Sequence, residues 1–127
     1  MSRPIVMGIN LDEVEWEPAE TLWDDTGEAV PTGLLVKVLS VDDESGASTV
    51  LVKAPPGWTT EAPEVHSVLQ EGFVLEGTYH NGDVELRAPA YFCLPPGTVH
   101  GPARSEGHVV LSMLSGPLDI THVAPGG

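Results

Sequence analysis

Basic residues are scarce in this 127-residue chain, where five Lys and Arg stand against nineteen Asp and Glu for a formal charge of −14. Such a field repels nucleic-acid phosphates and anionic lipid head groups, so neither a nucleic acid nor a membrane surface is expected as a partner. Eight of the acids fall between Asp12 and Glu28, which assigns part of the imbalance to an N-terminal arm rather than to a pocket. Cysteine is nearly absent: Cys93 alone cannot make an intrachain disulfide, and it suits the reducing cytoplasm, the expected location. There is no run of about 18 apolar residues and no signal-peptide core near Met1, so the chain reads as soluble. Apolar patterns of helical period sustained over a dozen residues are missing as well.

What the sequence has instead is turn-formers, 14 Gly and 12 Pro, spaced at short intervals. The length fits one compact domain able to bury its own core. Residues 33–57, GLLVKVLSVDDESGASTVLVKAPPG, show two β-rich runs about a polar turn, as a hairpin requires. VHSV, GFVLEGTYH, DVELRA, AYFCLP and HVVLSMLSG read as further strands, with HNGD as a tight turn and a continuation of the last run into LDITHV. Seven to nine short strands suggest an all-β sandwich or barrel. Residues 1–32 form an acidic arm that packs on this body, with Trp16 and Trp23 as its caps, and 33–127 form the domain proper.

Two stretches carry chemistry. In APEVHSVLQEGFVLEG, three residues separate His66 from Gln70 and six separate Gln70 from Gly77. In PAYFCLPPGTVHGP, Pro95, Gly97 and His100 follow Pro89. Together these stretches resemble the cupin superfamily, and in particular the small single-domain ChrR-like cupins, over roughly residues 33–116. The family's first motif is Gly, five residues, His-x-His, three or four residues, Glu, six residues, Gly. Here Glu64 stands where the first His belongs and Gln70 where the Glu belongs. The second motif, Gly, five residues, Pro-x-Gly, two residues, His, is kept except that Pro89 replaces its opening Gly. The resemblance implies a double-stranded β-helix, the jelly-roll barrel.

The resemblance also implies a ligand set of Glu64, His66, Gln70 and His100 around one divalent ion. Side chains two apart on a strand point the same way, so Glu64 and His66 converge. A turn over Ser67 to Leu69 would start the next strand at Gln70 beside them, and His100 would arrive from a distant strand. A mixed N/O set suits iron first, with zinc, manganese, nickel or copper as alternatives, and two His with one carboxylate match the non-haem iron oxygenase pattern. The exchange of Glu and Gln leaves the net ligand charge unchanged. Solvated Glu64, non-ligand Gln70 and, after a slip of one residue, inward Glu71 are the competing readings.

The expected function is that of a metal-dependent cupin enzyme acting on a small organic substrate, an enol, diketone or phenolic oxygen pair, by dioxygenation, with Glu64 as the catalytic base. Non-redox isomerase, cyclase or lyase chemistry and metal-free ligand binding are the alternatives. A ChrR-like sensor role loses support because residues 1–32 contain no His or Cys for the extra zinc site of those sensors. A homodimer built through the N-terminal arm is expected by the same resemblance. Of the other histidines, His80 reads as an exposed turn neighbour, His108 as a residue of the pocket mouth and His122 as surface. Cys93 reads as a buried apolar residue.

Overall fold

The structure is a computed structural model that describes residues 3–22 and 33–123. Nine strands lie among the described residues: β1 (Glu17–Pro18), β2 (Leu35–Val41), β3 (Ser48–Thr59), β4 (Glu64–Val65), β5 (Gln70–Asn81), β6 (Val84–Arg87), β7 (Ala90–Leu94), β8 (Ala103–Leu114) and β9 (Thr121–His122). One 3-10 turn (Leu11–Glu13) and the four-residue helix α1 (Ala19–Leu22) complete them. No helix among the described residues is long and apolar enough to cross a membrane.

The β2–β3 hairpin forms as the sequence predicts, because Asp42 closes its turn. The Asp42 carboxylate accepts the N–H groups of Glu44 and Ser45, and Gly46 takes a φ of 78°. β8 is the spine, paired antiparallel with β3 on one edge and β5 on the other. The far edge of β5 is shared, residues 70–74 with β7 and 78–81 with β6. Gly82, at φ 58°, opens the two-residue loop between β5 and β6, which admits that conformation only for lack of a Cβ. The sheet order β1-β2-β3-β8-β5-β6, with a separate β4–β9 pair, is an all-β jelly-roll barrel. Val36, Val50 and Val74 are fully buried at its centre, each contributing roughly 1.5–3 kcal/mol through the apolar area it removes from water.

Two bulges decide which side chains enter the barrel. Between Val74 and Glu76, β5 spends two residues against the single step from Val110 to Val109 on β8. Below that point β5 turns its even residues inward; above it, Tyr79 is the inward one. On β8, Ser105 and His108 oppose Tyr79 and Gly77, so three residues answer two and Glu106–Gly107 form a second bulge. This bulge places Ser105 and His108 on one face although they are three apart.

Three expectations change. VHSV yields only the short β4, since the chain bends from Ser67; β5 then starts at Gln70 as expected. LDITHV does not continue β8: the chain turns at Ser115–Pro117 and returns as β9 to pair with β4. Cys93 is exposed rather than buried. It shares the outer face of β7 with Tyr91, while Phe92 turns into the barrel.

Of the arm, β1 adds to the edge of β2, and Arg3 donates to the hydroxyls of Ser40 and Thr49. Trp16 lies against Lys37 and Lys53, with ring-to-ammonium distances of 4.7 and 5.5 Å. Buried Lys37 also donates to the Leu11 carbonyl at 2.6 Å, which fixes the arm to the barrel wall. Trp23 lies outside the described residues.

Candidate metal centre and cavity

Strand β4 is short, but it is pinned on both sides. Glu64 N–H donates to His100 O and His100 N–H to Glu64 O, at 2.8 and 2.9 Å, while β9 covers the other edge. His100 therefore arrives from the loop between β7 and β8 through an isolated bridge, rather than from within a strand. One nitrogen or oxygen from each of Glu64, His66 and His100 lies within 4.8 Å of the other two. The His66 and His100 ring centroids are 4.7 Å apart.

The electrostatics of this trio suit a cation. His66 Nδ1 is engaged by the Asp119 backbone carbonyl at 2.5 Å, which leaves Nε2 turned to the cluster, 3.5 Å from Glu64 Oε1. Asp119 is held in turn by accepting from Ser67 N–H and Oγ–H at 2.9 and 2.8 Å. Glu64 Oε2 and His100 Nε2 are buried without any hydrogen-bond partner. Burial pushes the Glu64 carboxyl above its ordinary range, against the pull of His66 and His122. Burial, aided by neighbouring His66, lowers His100 to about 4. A divalent ion would satisfy both orphaned atoms and favour the ionised carboxylate with neutral imidazoles, so these residues fit a metal.

Glu64 and His66 also line a cavity of about 110 Å³ together with Gln70. Glu71 points the other way and accepts a hydrogen bond from Tyr91 Oη, so it is Gln70 that faces the interior. The remaining walls are largely apolar, with Val52, Phe92, Val110, Leu114 and Ile120 among them. Its size suits a compact ligand.

The sequence matches the model of the ChrR Cupin-like domain over residues 9–119. The chain belongs to this family. No curated protein matches the sequence of this cupin significantly. Among solved structures it is similar to the putative acetylacetone dioxygenase of Methylibium petroleiphilum, at 23% identity and a TM-score of 0.70, covering 100% of this chain and 87% of that one. The acetylacetone dioxygenase of Acinetobacter johnsonii aligns at 20% identity and a TM-score of 0.62 over 75% of this chain and 66% of its own. The polyketide cyclase RemF of Streptomyces resistomycificus aligns at 17% and 0.68, over 94% and 87%. At these identities the likeness establishes the cupin fold.

Two residues were under-read from sequence, while His108 lines the cavity in keeping with its reading as a pocket residue. His122 is exposed, as the sequence reading had it, but its Nε2 lies 4.0 Å from Glu64 Oε2 because β9 pairs directly with β4, a proximity the sequence did not reveal. Tyr79 had no place in the sequence reading, yet it lines the cavity, and burial together with the Glu64 charge raises its phenol. His108 lines the interior beside it, the two rings meeting edge to face at 4.8 Å. His80, expected to be exposed, is largely covered and pairs with Glu106 at 2.6 Å on the β5–β6 hairpin side. With Glu85 these two form a second potential ligand group, but Arg104 is close enough to Glu106 to lower its carboxyl further and would oppose a cation there.

Burial lowers His108 to about 4, below the ordinary 6.5. The unfolded chain therefore takes up a proton at His108 before the folded one does. Its contribution to stability is full above pH 6.5 and is lost as the pH falls toward 4. The urea midpoint of the metal-free protein is expected to drop between pH 7 and 4.5, and His108→Phe to flatten part of that drop. An identical pH profile in the variant would contradict the buried neutral imidazole.

Proposed function

We propose that this cupin is a metal-dependent oxygenase for a small enolisable dicarbonyl, with the ion held by Glu64, His66 and His100 and with Gln70 beside it. The observation that carries this reading is the trio with two buried, orphaned ligand atoms, set against a largely apolar cavity. The acetylacetone dioxygenases among its structural neighbours support the choice of substrate class. Iron, the metal favoured by two imidazoles and a carboxylate with open positions, would supply redox exchange with dioxygen and Lewis acidity toward a substrate oxygen.

The chain's own residues do the rest. The Asp119 carbonyl orients the His66 ring, and the backbone bridge to Glu64 fixes the main chain from which the His100 ring projects. With Glu64 Oε2 given to the ion, Oε1 is the oxygen left to take the proton that leaves the carbon between two carbonyls. Val52, Phe92, Val110 and Ile120 give the cavity an apolar wall, which would strengthen polar contacts made against it once a substrate displaces water.

The test is oxygen uptake by protein loaded anaerobically with ferrous iron and given acetylacetone as probe. Uptake is expected at one O2 per acetylacetone consumed, and to be lost in His100→Ala. Iron bound at stoichiometry with no uptake would contradict the oxygenase and favour isomerase, cyclase or lyase chemistry on the same scaffold.

A further inference from the structure

The bulge at Glu106–Gly107 brings together a polar pair that the metal centre does not use. Ser105 is almost wholly buried, and its Oγ lies 2.7 Å from His108 Nδ1. Ser105 Oγ also accepts the Gly107 N–H at 2.9 Å, while the Ala54 carbonyl lies 3.5 Å away. A hydroxyl has one proton to donate. An O–H···O bond is normally 2.5–3.0 Å long, so at 3.5 Å the Ala54 carbonyl is a weak acceptor for that proton, and the 2.7 Å contact favours His108 Nδ1 instead. A neutral imidazole that accepts at Nδ1 carries its own proton on Nε2. Among the described residues, Ser105 is the only hydrogen-bond partner of the His108 side chain, and the ring borders the cavity.

We propose that His108 is a substrate-binding residue whose Nε2–H donates to a carbonyl or enolate oxygen in the cavity, with Ser105 as the positioning residue that sets its tautomer. The inference rests on the dicarbonyl reading above and deepens it: one substrate oxygen belongs to the metal side, where Glu64 and His66 stand, and the other to the β8 bulge. A fixed neutral donor in an apolar enclosure favours developing negative charge on that oxygen without the cost of burying a cation. The low proton affinity of His108 is in keeping with this, since the ring stays neutral through the physiological range. The edge contact with Tyr79 limits how far the imidazole can turn.

The experiment uses the full chain loaded with zinc, which is redox-inert, and acetylacetone as the probe. Long-range 1H–15N spectra at pH 7 should show His108 protonated on Nε2 in the parent. Calorimetric titration should show His108→Phe binding acetylacetone about tenfold or more weakly at unchanged zinc content, the loss expected for one hydrogen bond to a charged or polarised oxygen. His108→Gln, which keeps an N–H donor, should recover most of the affinity, and Ser105→Ala should weaken binding several-fold while mixing the tautomers. A parent ring protonated on Nδ1, or equal affinity in His108→Phe and parent, overturns the proposal while leaving the dicarbonyl reading in place. Absence of acetylacetone binding by the zinc-loaded parent overturns that reading and the assignment that rests on it.

Discussion

Replacing His66 with Ala is expected to weaken divalent-metal binding by about 100-fold or more, measured by zinc competition with a chromophoric chelator. His66 is the most constrained of the three proposed ligands. Its ring is buried and its Nδ1 is committed to the Asp119 carbonyl, so Nε2 has a single orientation to offer. Even partners one bond removed from a metal are worth 10–100-fold in affinity, so removing a preorganised ligand is expected to reach at least the top of that range. The fold should survive, because the lost Nδ1 contact is one hydrogen bond worth about 1 kcal/mol. Retained affinity in a folded His66→Ala protein would remove His66 from the ligand set.

Gly77→Ala is expected to destabilise the barrel by about 3 kcal/mol or more in urea denaturation. Gly77 sits at φ 75°, and a Cβ there would stand 1.7 Å from the Gly107 carbonyl oxygen. Strands β5 and β8 would have to separate at the bulge that turns Ser105 and His108 inward. Gly57 supplies the control: its φ of 85° is as left-handed, but nothing lies within 4 Å of its added Cβ. Gly57→Ala should therefore cost only the conformational penalty, about 1–2 kcal/mol. Equal losses at the two sites would show that backbone strain alone, rather than the contact of two strands, explains the motif glycine.

This glycine also shows why the fold was legible in the sequence. Gly77, Pro95 and Gly97 mark positions where a backbone must turn or approach another closely, and such demands are written in residue identity. The turns were legible for the same reason, through Asp42 and Gly82. The convergence of Glu64 with His66 followed from strand alternation, and Gln70 opened β5 as the spacing required. The interior beyond them was not legible. Alternation from Gln70 puts Tyr79 on the outside, and alternation from Val110 separates His108 from Ser105; each bulge inserts one residue and reverses the parity. Nothing in a single strand's pattern announces a bulge whose cause is the register of its neighbour. His122 escaped for a related reason, since its position depends on the β4–β9 pairing, a contact across 58 residues of chain. Cys93 was misplaced because the strand AYFCLP alternates equally well with either face inward.

The measurement that bears most directly on the metal centre is an anomalous-difference map from crystals of the protein soaked with one equivalent of zinc, collected at the zinc edge. A single strong peak in bonding contact with His66 Nε2, His100 Nε2 and a Glu64 oxygen is the predicted result. A peak at His80, Glu85 and Glu106 instead, or no peak at the Glu64 trio under conditions where zinc binds in solution, would contradict it.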